Sequence, residues 1–131
     1  MARSMTPFLM FEERGTEALD FYMSLFPGSE IVAMQKYGPE GPGKEGTIMH
    51  GTFVLNGQRV MISDSPVSHA FTFTPSISFW IECEDEAELE KLFAALGEGG
   101  QVYMGLDNYG FSTRFGWVGD RFGVTWQLNL A

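Results

Sequence analysis

The order of hydrophobic periods runs through one cycle twice, and this constrains the fold more than any other feature. In the first cycle, residues 6–11 are short, aromatic and apolar, as a strand should be. A helical stretch opens at Gly15-Thr16, with Thr16 as the expected N-cap. Ala18, Phe21, Tyr22, Leu25 and Phe26 form its apolar face, and Pro27-Gly28 ends it. Three strands follow, at 30–37, 47–55 and 58–64, the last two joined by Asn56-Gly57, a strong hairpin signal. The second cycle begins with a strand at 76–82. Asp85 and Glu88 then form a capping box before Leu89, Leu92, Phe93 and Leu96. Strands are expected at 101–104, 111–118 and 122–130. In the last, Val124, Trp126, Leu128 and Leu130 alternate with Thr125, Gln127 and Asn129.

The expectation is an α+β fold in which residues 1–131 form one domain of two βαβββ modules, at 6–64 and 76–130. One helix covers only one face of a four-stranded sheet. Two such modules side by side would turn their uncovered faces into a shared concave sheet, where a ligand could sit. The halves share almost no residue identity, so the repeat is one of architecture. With 44% hydrophobic and 15% aromatic residues, a core can form without disulfides, and the single cysteine allows none within the chain.

Charge removes several function classes. Eight Lys and Arg stand against 17 Asp and Glu, a net charge of −9, which argues against nucleic acid and against an anionic membrane as partners. No apolar run reaches transmembrane length, and residues 1–7 lack a signal-peptide core, so a cytoplasmic location is expected.

Few side chains offer chemistry. His50 lies mid-strand and reads either as a polar cavity contact or as a packed histidine; His69 lies between the modules and reads as a surface or dimer contact. Asp64, at a strand end, reads more simply as a turn residue bonding its own backbone than as a proton acceptor. Arg114 sits in a strand near Phe115 and Trp117; it suits a carboxylate or phosphonate ligand, or an ion pair with one of the many acids. Trp80, Trp117, Tyr103, Tyr109 and Phe111 could wall an apolar cavity. The stretch 105–110 reads as a polar loop preceding the Arg114 strand. Cys83 lies among Glu82, Glu84 and Asp85, which disfavour a thiolate nucleophile. The Gly-rich loop at 38–46 lacks the Gly-Lys-Ser/Thr ending of a phosphate loop.

The doubled βαβββ order resembles the vicinal oxygen chelate superfamily of glyoxalases, bleomycin-resistance proteins and extradiol dioxygenases. Particular residues resemble its PhnB-like branch. They are Pro7-Phe8-Leu9-Met10-Phe11, then Glu17-Ala18 with Phe21-Tyr22 and Leu25-Phe26, Met49-His50-Gly51, and Met61-Ile62-Ser63-Asp64. The most specific match is the closing run, with Gly110-Phe111, Arg114-Phe115-Gly116-Trp117-Val118, Asp120-Arg121-Phe122-Gly123-Val124 and Trp126-Gln127-Leu128. The branch is often labelled demethylubiquinone methyltransferase-like, yet no glycine-rich nucleotide-binding unit is present to hold a methyl donor.

The resemblance implies a homodimer. In active superfamily members it also implies three or four His and Glu metal ligands on the concave face, from the first and last strands of the modules. Phe8-Leu9-Met10-Phe11 supplies no such ligand, and Gln127 stands where a Glu would be expected. The residues therefore call for no cofactor, and His50, Glu82 and Gln127 remain the one non-standard set for a divalent metal. The expected function is a small-molecule binder, with His50, Trp80, Arg114, Trp117 and Gln127 contacting the ligand and no metal site. The alternatives are a metal-dependent glyoxalase- or dioxygenase-like enzyme and a non-catalytic scaffold.

Overall fold

A computed structural model describes residues 1–131, and the chain divides into two compact units, Met1–Ala70 and Phe71–Ala131. The first contains β1 (Phe8–Phe11), α1 (Gly15–Leu25), β2 (Glu30–Lys36), β3 (Ile48–Leu55) and β4 (Gln58–Asp64). The second contains β5 (Phe79–Glu82), α2 (Glu86–Gly97), β6 (Gln101–Asp107), β7 (Arg114–Gly119) and β8 (Thr125–Leu130). Each is a four-stranded mixed sheet, ordered β1-β4-β3-β2 and β5-β8-β7-β6. In each, the first strand pairs in parallel with the last, and the other pairings are antiparallel. The doubled βαβββ order is therefore present. No helix is long and apolar enough to cross a membrane.

The helices bury part of the faces their periodicity indicated: Phe21, Leu25 and Phe93 are half-buried, and Leu19, outside the expected face, is buried. Ala18, Leu19 and Tyr22 of α1 are buried, as are Leu89, Leu92 and Leu96 of α2. A fully buried leucine contributes about 2 kcal/mol. α2 lies over β7 and β8. A Cβ built on Gly116 of β7 would come within 2.6 Å of the Phe93 ring, so helix and strand approach closely there.

The two helices begin differently. Asp85 caps α2 locally, its side chain accepting from Glu88 N at 2.8 Å, while Glu88 Oε1 accepts from Glu84 N at 2.9 Å. α1 does not use Thr16. Its N-cap position is Arg14, which makes no side-chain cap bond. Asp64 supplies the acceptor from the end of β4: Oδ1 takes Gly15 N and Oδ2 takes Ile48 N, each at 2.8 Å. Asp64 is thus no self-bonded turn residue. It ties the helix start to the end of β4 and the start of β3, at 1% exposure.

Three strands start later than their periodicity indicates. β5 starts at Phe79 instead of 76, β7 at Arg114 instead of 111, and β8 at Thr125 instead of 122. Asp120 explains the last case. Its Oδ1 accepts from Phe122 N and Val124 N and its Oδ2 from Trp126 Nε1, which locks residues 120–124 as a turn. β6 runs on to Asp107, so half of the stretch expected as a loop is strand.

Candidate functional site

Strand alternation decides which side chains face away from each helix. In the second unit, Gly116 faces Phe93 of α2, and its neighbours Phe115 and Trp117 face the other way. Cross-strand register extends this open face. Trp117 lies opposite Gln127, and Gln127 opposite Trp80, so three of the expected ligand contacts form one row across β7, β8 and β5. The next row carries Phe115, Asn129 and Glu82, with Asp107 opposite Phe115 on β6.

The face is aromatic. The rings of Trp80, Phe111 and Tyr109 meet Phe115 at centroid distances of 5.6, 5.1 and 6.1 Å, and Tyr103 meets Trp117 at 5.0 Å. Phe115 is buried beneath these neighbours, whereas Trp80 is 51% exposed. Set into this face is a short polar chain. Trp80 Nε1 donates to Glu82 Oε1 at 2.7 Å, and Asn129 Nδ2 donates to Glu82 Oε2 at 3.1 Å. These two donors, Trp80 first, hold the Glu82 carboxyl below its ordinary pKa. Because the Asn129 amide nitrogen must face the carboxylate, its Oδ1 points elsewhere. Oδ1 has no protein partner, and neither does Trp117 Nε1, although both atoms are buried.

Arg114 does not join this face. Its Nη1 donates to Glu90 Oε1 at 2.6 Å and lies 3.7 Å from Glu86 Oε1, both on α2. It therefore sits on the helix side of the sheet, and Glu90 first, then Glu86, hold its charge more firmly. His50 belongs to the first unit. Gln35 pairs with His50 while the adjacent Lys36 pairs with Ile48, so Met49 is an extra residue in β3. The bulge lets Ile48 stay buried while His50 is exposed, 6.1 Å from the Phe8 ring. Of the two readings that the sequence left open for His50, the packed one does not hold, since the ring is exposed. His69 Nε2 lies 2.7 Å from Ser65 Oγ, and its backbone N–H donates to Glu12 Oε2. Cys83 is buried and its thiol is pushed up to about 11, by burial and then by Glu88 and Glu82.

Glu82, Asn129 and Phe115 were absent from the expected ligand contacts. Their signal was available: each lies two residues from an expected contact on the same strand, hence on the same face.

This arrangement defines the class: two βαβββ units of the glyoxalase/bleomycin-resistance type, within the vicinal oxygen chelate fold. A fosfomycin-resistance protein, FosX of Listeria monocytogenes, has that fold at TM-score 0.63 and 14% identity, over 100% of this chain and 94% of its own. A family model described as 3-demethylubiquinone-9 3-methyltransferase matches residues 3–129, and the chain belongs to this PhnB-like family. A PhnB protein from Bacillus cereus is 51% identical, with TM-score 0.94, over 98% of this chain and 100% of that one. A Pseudomonas aeruginosa protein is 31% identical, with TM-score 0.83, over 98% of each chain.

The residues present do not fit the groups that these likenesses imply. No three His, Cys, Asp or Glu side chains come together as metal ligands, and Glu82 is already engaged by Trp80 and Asn129. Nor do they fit a methyl donor held at a β–α turn. Both helix N-termini are closed by the chain's own carboxylates, Asp64 at α1 and Asp85 at α2, and neither turn is glycine-rich.

Proposed function

We propose that the protein binds a small organic ligand on the open face of its second sheet, without a standard metal site. Trp80, Trp117 and Gln127 would contact the ligand. The observation that carries this reading is the pair of buried, unpartnered polar atoms, Trp117 Nε1 and Asn129 Oδ1, on an otherwise aromatic face. An unsatisfied buried polar group costs about 1–3 kcal/mol, and such groups are tolerated where function requires them. Exposed rings beside them offer apolar area to a flat ligand.

The test is a thermal-shift and tryptophan-fluorescence titration with three phenyl probes: benzyl alcohol, benzoate and benzyltrimethylammonium. At least one should bind saturably, and Trp80→Ala and Gln127→Ala should each weaken it. Binding by none of them, or full retention by both variants, would overturn the reading.

The same reading includes a homodimer. Its support is the apolar exposure at two of the four edge strands, Ile31 and Val32 on β2 and Val102 and Tyr103 on β6. Light scattering across a concentration series checks it; a monomer at every concentration refutes it.

A further inference from the structure

We propose that the ligand taken by the open face of the second unit is an organic cation: a protonated or quaternary amine carried on a flat apolar group. This rests on the binding reading above and assigns the sign of the charge.

The argument starts from how positive charge is distributed. The second unit contains three basic residues, Lys91, Arg114 and Arg121. Lys91 is on α2, on the covered side of the sheet. Arg114 is committed to Glu90 and Glu86 on that same side. Arg121 lies in the β7–β8 turn, its guanidinium 6.0 Å from the Phe122 ring centre. The expectation of an anionic ligand held by Arg114 therefore loses its cation.

Glu82 is the opposite case. It is exposed, it makes no ion pair, and its only side-chain partners are the neutral donors Trp80 and Asn129. Those donors favour the carboxylate over the acid. Trp80 Nε1 takes one carboxylate oxygen, and the other accepts only the longer bond from Asn129, which leaves it acceptor capacity. Asp107 adds a second carboxylate at the far end of the same row, opposite Phe115. Beside these acids, Trp80, Tyr109 and Phe111 pack around the buried Phe115 and keep exposed ring surface that attracts cations. An anion would meet two carboxylates here and no base. A neutral ring would use the aromatic area and leave Glu82 unpaired. A cation alone satisfies both features.

The three phenyl probes separate this inference from the reading beneath it. Benzyltrimethylammonium should bind about five- to tenfold more tightly than benzyl alcohol, with benzoate weakest. Glu82→Gln keeps an acceptor for Trp80 Nε1 and removes the charge. It should erase the cation's advantage over benzyl alcohol. Raising the salt concentration on the unaltered protein should weaken the cation alone. If benzyl alcohol binds and the cation binds no better, or the Glu82→Gln variant keeps the preference, the cation assignment falls and the binding reading stands. If no probe binds, both fall.

Discussion

Asp64 reaches across 49 positions of sequence to accept the Gly15 N–H at 2.8 Å, and its second oxygen takes Ile48 N at the same distance. One buried carboxylate thereby joins a helix start and two strand ends. The fit is close, since a Cβ built on Gly15 would lie 2.8 Å from Asp64 Oδ2. Asp64→Ala strands two buried N–H groups and should destabilise the chain by about 2–4 kcal/mol, read from urea denaturation. Asp64→Asn, which keeps one acceptor, should cost less. A loss below about 1 kcal/mol for the alanine variant would show that neither bond matters.

Arg114 and Trp80 lie on opposite faces of one sheet, so their variants should separate. Arg114→Met should leave the affinity of every phenyl probe within about twofold, because rim charges on the far side are screened. Trp80→Ala should lose most of the binding. A large affinity loss in the Arg114 variant would put the guanidinium back into the site.

Cys83 links to stability at high pH. Its thiol is raised from 9.0 to about 11 in the folded chain, by burial first. Folding therefore favours the protonated form. The stability it contributes is complete below pH 9, and declines as pH rises from there through about 11. Cys83→Ala should flatten that part of the decline, measured as the difference between the two stability curves. Native Cys83 should also resist iodoacetamide at pH 8.5, in contrast to the urea-unfolded chain. Equal modification of both states would refute this account.

How much of this was legible in the sequence depends on the range of the interactions. Local signals served well. The Asp85–Glu88 capping box, the Asn56-Gly57 hairpin and the alternation of β8 all follow from residues a few positions apart, and all are present. The doubled order followed from those local pieces. What stayed hidden needed partners far along the chain. The cap of α1 is supplied from β4, so no residue near Thr16 reveals it. Arg114 could face either side of its strand, and only the acids of α2 show which. The facing of His50 was open from the sequence because a bulge at Met49 breaks alternation with Ile48: His50 lies with Thr52 and Val54, away from the buried Gly51, Phe53 and Leu55. The row of Trp80, Gln127 and Trp117 came together through the register of three neighbouring strands, which sets one residue of each directly opposite the next.

The unequal helix starts have a consequence for the order of events in folding. The beginning of α2 is closed by Asp85 and Glu88 within four residues, so this helix can start to form before any strand pairs. The beginning of α1 waits for Asp64, which arrives only once β4 has docked. The two helices resemble each other in the finished structure, and their histories should differ. Asp85→Ala should slow refolding, and Asp64→Asn should chiefly speed unfolding, as stopped-flow chevrons would record. The reverse partition would mean that the β4 end is organised in the transition state and the α2 cap is not.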